Sequence, residues 1–432
     1  MEEFGNLESR EKNRYWKMRQ NRFNFLIGGR SYLYRLSWKM LTLITVLPLV
    51  VLARYYSKKL QSANINKDEK RDVMVSYKYF MNVYPCCVYS PFIKGYELEL
   101  FKKCEMEEPI LEVAIGDGYF SSLLFASKNK KLTFGADLIY GTLKSAVKYN
   151  HCENFLIMDA VQIPLPDNSV GTVIMNNLMH HVPDRSAVLK EVSRVLKTGG
   201  KFIFTENTMG WSVFSWEQLL LRRLRLNALA GYALKLSLKL FAQRLLKDEN
   251  FYEKKSNEMK FKIIKKVNFV SKTSMSIGSM FEFLNLKLGQ PTRREMIEWI
   301  NLFGLRNKMD KYMKDIIRYC QCRDEDLVRS EGYAFQFYEM DKVGEECPAL
   351  ENNKASILYV CPECKKTLEK NPDFFLCGYC NIKYPIVDKI PIFISYQSKI
   401  KGPHSISKCN TMRSSDFDWC FKAQAFSGSA VD

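Results

Sequence analysis

From Pro109 to Thr205, short apolar runs alternate with longer mixed runs in a regular order. Ile110 to Val113 predicts a buried strand and Tyr119 to Ser127 a helix. Leu132 to Ala136 predicts a second strand, Thr142 to Tyr149 a helix, and Phe155 to Met158 a third strand. The strand Thr172 to Met175, the helix Arg185 to Leu196 and the strand Lys201 to Thr205, which follows Gly199-Gly200, continue the rhythm. Such alternation predicts an α/β fold, a doubly wound and mostly parallel sheet with its ligand at the carboxyl ends of the strands. The first strand breaks into Gly116-Asp117-Gly118, where glycine permits positive φ and close approach of a ligand to the backbone.

Polar residues stand at the tips of four successive strands: Glu112, Asp137, Asp159 and Asn176-Asn177. Packing does not call for them there. Asp137 lies where a carboxylate in this kind of fold takes the hydroxyls of a ribose. A dinucleotide-dependent oxidoreductase would want a third glycine at the helix start, where Ser121 stands.

The run LEVAIGDGYF, GADLI, MDAVQIPLPDNSV and NNLMHHVPDRSAVLKEVSRVLKTGGKF resembles the motifs of class I S-adenosylmethionine-dependent methyltransferases. The resemblance implies a Rossmann-like, seven-stranded sheet, with Glu112, Ala114, Gly116 and Gly118 in the cofactor loop. It further implies Asp137 at the ribose, Asp159 and Ala160 at the adenine, and Asn176 at the cofactor or substrate. Ala114 departs from the commonest glycine of that loop, and Gly171 from a frequent aspartate. His180 and His181 follow the fourth strand, near the expected acceptor, and are the candidates for a general base, with a structural role as the alternative.

Outside this stretch the pattern changes. Residues 1–39 carry many charges of both signs, unlike an acid-poor transit peptide. Met40 to Ala53 is the most apolar run, flanked by basic residues and containing Pro48. It is short for a span of about 20 residues, so a membrane anchor lying in or re-entering the interface competes with a buried N-terminal helix. Slightly more Lys and Arg follow the run than precede it, which places the main body on the cytosolic side, with a cytoplasmic protein as the alternative. A long insertion, 209–291, is expected to be helical and carries a stripe of Leu234, Leu238, Phe241 and Leu245 beside Lys235, Lys239 and Lys247. Such a segment suits a substrate lid or a membrane-surface helix. Glu295 to Phe303, Gly304 to Met309 and Gly332 to Glu339 are expected to form the last helix and a closing antiparallel hairpin.

Cys361, Cys364, Cys377 and Cys380 form two C-x-x-C units at hairpin spacing, a pattern that brings four thiolates around a structural Zn²⁺. With the tail KYPIVDKIPIFI, the module resembles the small zinc-ribbon activator subunit of tRNA, ribosomal RNA and release-factor methyltransferases. The expected organisation is an arm and anchor candidate at 1–56, a methyltransferase domain at 57–342 containing the insertion 209–291, a zinc ribbon at 343–398 and a disordered tail at 399–432.

Composition narrows the acceptor only in part. A net charge of +18 over 432 residues implies anionic company: RNA, an acidic membrane surface or phosphorylated substrates. Thirteen cysteines, four of them so paired, fit metal thiolates in a reducing compartment better than a secreted disulfide framework. The leading expectation is a membrane-associated enzyme acting on a small lipid, quinone or glycolipid-type acceptor. An RNA methyltransferase and a non-catalytic cofactor-binding scaffold are the alternatives, and the oligomeric state is not readable.

Overall fold

The computed structural model describes residues 50–58, 73–83, 88–240, 248, 250–282, 300–344 and 358–394. The charged arm, most of the apolar run at Met40 to Ala53, Phe241, Leu245 and Lys247 of the predicted stripe, and the tail 399–432 lie outside them. Among the described residues, no helix is long and apolar enough to cross a membrane.

The described residues fall into two compact units. One lies within Met1–Glu99, Gly210–Leu234 and Phe269–Ala334, the other within Leu100–Met209, Lys235–Asn268 and Phe335–Asp432. The first is helical, with a helical stretch at 50–58, α1 (Val73–Val83) and the start of α2 (Tyr89–Lys102). Its other helices include α6 (Met209–Val213), α7 (Trp216–Arg223), α8 (Asn227–Leu240), α10 (Lys272–Glu282) and α11 (Arg306–Glu331). Asp324 of α11 accepts the backbone N–H groups of Val270 and Ser271, each at 2.7 Å, and so ties this long helix to the start of α10.

The second unit contains β1 (Ile110–Val113), α3 (Tyr119–Lys128), β2 (Leu132–Asp137), α4 (Tyr140–Ala146), β3 (Cys152–Met158) and β4 (Val170–Met175). It continues through α5 (Arg185–Val195), β5 (Leu196–Asn207), α9 (Phe251–Glu258), β6 (Phe261–Ser271) and β7 (Tyr333–Lys342). β1 pairs in parallel with β2 and β4, β2 with β3 and β4 with β5, so the order reverses beside β1, where such sheets open a crevice for a ligand. Every residue of β1 and β4 is buried, as expected of parallel strands covered on both faces. α5 covers the sheet with Val188, Leu189, Val192 and Val195, and Asp184 caps it by accepting the Ala187 N–H at 3.0 Å.

Seven strands from 110–342 form one run of the sheet, and four strands from the segment expected to be a separate ribbon extend it to eleven. Its order is β6-β7-β5-β4-β1-β2-β3-β11-β10-β9-β8, the last four being β8 (Glu369–Lys370), β9 (Phe374–Cys377), β10 (Ile382–Val387) and β11 (Ile390–Phe393). β11 joins β3 in parallel, Ile392 opposite Ile157 and Phe393 opposite Met158. Asp388 and Lys389, both at positive φ, make the two-residue turn between β10 and β11.

The closing strands differ from the sequence expectation. β7 pairs antiparallel with β5, but its other neighbour is β6, which lies inside the segment 209–291 expected to be helical. Gly304 to Met309, expected to be a strand, leads instead into α11, whose buried Met309, Met313, Ile316, Ile317 and Cys320 recur at helical spacing. Burial of that stripe outweighs the short extended look of the preceding residues.

Candidate functional site

Beyond β1 the backbone turns through three left-handed residues in five: Ala114 at φ 60°, Gly116 at φ 63° and Gly118 at φ 77°. Ala114 therefore accepts a conformation that costs an L-residue about 1 kcal/mol, which is why glycine suits its position better. Gly118 is required on two counts, since a Cβ there would also stand 2.6 Å from the Ala146 Cβ. At Gly116 a Cβ would meet nothing within 4 Å, so its open side leaves space for a ligand.

The turn is laced to the tip of β2. Gly116 N–H donates to Asp137 Oδ2 at 2.9 Å, Ile139 N–H to Oδ1 at 2.9 Å, and Ile115 N–H to the Ala136 carbonyl at 3.0 Å. Burial pushes the Asp137 carboxyl upward, opposed by these backbone donors. Glu112, 2% exposed, accepts the Ser121 hydroxyl at Oε1 over 2.7 Å, while Oε2 has no hydrogen-bond partner among the described residues. Burial lifts this carboxyl to about 7 against the pull of Ser121. A buried carboxylate oxygen left unpaired beside an open glycine turn fits a cationic donor arriving with a ligand. Ser121, which breaks the dinucleotide fingerprint, is thus the residue that holds Glu112.

The other tips are also built. Asp159 Oδ1 accepts the Val161 N–H at 3.2 Å, and Ala160 is buried beside it. The loop after them is clamped on both sides. Glu191 Oε2 accepts the Ile163 N–H at 2.8 Å, Arg194 donates to the carbonyls of Ile163 and Leu165, and the Val360 N–H donates to the Pro164 carbonyl at 3.1 Å. Asn176 Oδ1 accepts from Thr205 Oγ1 at 3.1 Å and from the Asn177 side chain at 2.9 Å. The two histidines part company: His180 is buried and His181 exposed, their ring centroids 4.2 Å apart in the turn Met179–His181. Only His181 is open to solvent for proton exchange.

One cluster escaped the sequence reading. Near the end of β5, Glu206 accepts from Arg185 Nη2 at 3.3 Å and from the Tyr252 hydroxyl at 2.6 Å, with all three side chains buried. Burial lifts the Glu206 carboxyl to about 7, against the Arg185 charge and the Tyr252 hydrogen bond. Its signal was an acid two residues after the apolar run Phe202 to Phe204, close to the strand-tip pattern of Asp137 and Asp159.

The sulfurs of Cys361, Cys364, Cys377 and Cys380 all lie within 4.8 Å of one another. Tetrahedral thiolates on Zn²⁺ stand about 3.8 Å apart, so this donor set fits that ion with no position left open. Cys380 N–H donates to Cys377 Sγ at 3.3 Å, an interaction that favours a thiolate. Lys365, next to Cys364, pairs with Glu191 at 2.9 Å, linking this cluster to the loop after Asp159.

Residues 111–204 match the profile of a family described as methyltransferase domain. Over 101 residues the chain is 30% identical to a malonyl-[acyl-carrier protein] O-methyltransferase from Hamiltonella defensa subsp. Acyrthosiphon pisum, covering 23% of this chain and 38% of that one. Over 101 residues it is 32% identical to the ubiquinone/menaquinone biosynthesis C-methyltransferase UbiE of Desulfotalea psychrophila, covering 23% and 41%. It therefore spans about two fifths of the length of these curated relatives. Phosphoethanolamine N-methyltransferase 2 of Haemonchus contortus, solved with S-adenosyl-L-methionine, aligns with 63% of this chain and 57% of its own at 16% identity and a TM-score of 0.37.

Proposed function

We propose that this chain, which carries a methyltransferase domain at 111–204, transfers a methyl group from S-adenosylmethionine to a small lipid, quinone or glycolipid-type acceptor at a membrane surface. The observation that carries the reading is the pair of carboxylates at adjacent strand tips, Glu112 and Asp137, around the open side of Gly116. Glu112 Oε2 is suited to accept from the cofactor's ammonium group, and Asp137 to accept from its ribose hydroxyls. Asp159 and Ala160 are assigned to the adenine, and Asn176, held by Thr205, to the acceptor side of the cofactor.

When bound, S-adenosylmethionine supplies an electrophilic methyl on a sulfonium, so the protein's part is to align an acceptor and exclude water. For a hydroxyl acceptor, His181 is the accessible proton acceptor, and buried His180 supports the turn that presents it. The four thiolates would hold a structural Zn²⁺, which would fix the segment whose Lys365 pairs with Glu191. A lipid-type acceptor is in keeping with the quinone biosynthesis named for one curated relative.

The test is transfer of labelled methyl from S-adenosylmethionine into separated lipid, RNA and protein fractions of a cell extract. Label in lipid is expected, and Asp137→Ala should abolish it together with cofactor binding. Label confined to RNA would replace this acceptor with the one suggested by the net charge of +18. Cofactor binding with no label in any fraction would leave a scaffold.

A further inference from the structure

Within the first unit, the end of α7, the turn after it and the start of α8 expose every residue from Arg222 to Leu229. Leu224, Leu226 and Leu229 are 57%, 45% and 50% exposed, and Tyr232 follows at 67%. The turn is built from within: buried Gln218 donates through Nε2 to the Ala230 carbonyl at 3.1 Å, and Leu226 N–H to the Leu221 carbonyl at 2.9 Å. Arg225 takes a positive φ of 60°, which sharpens the bend. The leucines are therefore presented outward by a fixed scaffold. Scattered exposed leucines need no explanation, but three on one turn beside an exposed tyrosine do.

Charge identifies the occupant. Arg222, Arg223 and Arg225 alternate with these leucines, and from Gln218 to Lys247 the sequence holds seven Lys and Arg and no Asp or Glu. We propose that this turn docks on an anionic bilayer, the leucines and Tyr232 entering the interface while the arginines meet lipid phosphates. An RNA groove would offer the arginines the same phosphates but would leave the leucines in water. The proposal deepens the reading of a lipid acceptor, yet its measurement does not depend on methyl transfer.

The experiment uses the full chain with vesicles of phosphatidylcholine, alone or mixed with phosphatidylglycerol, and reads both partition and amide hydrogen exchange. The expected result is slowed exchange over 219–232 on the mixed vesicles. Leu224→Asp with Leu226→Asp should remove that protection and weaken partition about tenfold or more. Changing all three arginines to Gln should remove the preference for the anionic lipid. Circular dichroism and calorimetric S-adenosylmethionine binding should match the unaltered chain for these exposed substitutions, separating this surface from the cofactor site. Unprotected amides over 219–232 while the chain is vesicle-bound would overturn the proposal. Loss of self-association or of RNA binding in the same variants, with vesicle binding intact, would also overturn it.

Discussion

Glu112→Gln isolates the buried carboxylate oxygen beside the glycine turn that has no hydrogen-bond partner among the described residues. Burial lifts the carboxyl from 4.5 to about 7, so the folded chain holds this proton more tightly than the unfolded chain does. The sign follows: the contribution to stability is complete below pH 4.5 and is lost as pH rises through 7. At 1.36 kcal/mol per pH unit, the loss is roughly 3 kcal/mol. Glutamine keeps the shape and carries no proton to lose. The cofactor-free variant should therefore gain in melting temperature relative to the parent between pH 5 and pH 8, and the difference between the two curves cancels Glu206, which also titrates near 7. Cofactor binding should move the other way. Ionised Glu112 is the form that accepts an ammonium, so the parent's affinity measured by calorimetry should rise with pH up to about 7, and the variant should bind more weakly with that rise removed. Parallel melting curves, or an unchanged affinity profile, would refute the assignment of Glu112 as a buried, ligand-facing acid.

Gly118→Ala forces a Cβ to within 2.6 Å of the Ala146 Cβ at a φ of 77°, so a loss of about 2–4 kcal/mol is expected in urea unfolding, and a cost under 1 kcal/mol would mean α4 yields more easily than its packing indicates. Removing the metal with a chelator should release about one zinc per chain, and because Lys365 and Val360 clamp the loop after Asp159, cofactor affinity should fall with it. A metal-free chain with unchanged melting and unchanged affinity would remove the ion from the design.

Local pattern and long-range contact divide what could be read in advance. β1 to β5 were legible because buried parallel strands are short apolar runs, and their tips carry acids where nothing in a core would want them. The four cysteines were legible from spacing alone. β6 was not, because it lies in a stretch dominated by helical patterning, although Phe261 and Ile263 on one face against Lys262 and Lys266 on the other carry an alternating trace that a finer reading could have found. α11 was misjudged at its first turn, where Gly304 and Leu305 looked like a strand start. The Arg185, Glu206 and Tyr252 cluster joins residues far apart in the chain, and no spacing rule announces such a meeting. The same holds for Lys365 and Glu191.

The pairing of β11 with β3 rests on only two opposed residue pairs, Ile392 with Ile157 and Phe393 with Met158. Two backbone rungs would supply only part of the hold a separate small subunit needs at the dilution of a cell, the rest coming from contacts such as Lys365 with Glu191 and Val360 with Pro164. Here both strands belong to one chain, and a tether turns that encounter into an intramolecular one, with an effective concentration on the order of millimolar. The pairing is thereby insulated from dilution, and each sheet carries its own β11. Any control of this pairing would have to act on the whole polypeptide, since the two strands cannot be supplied separately.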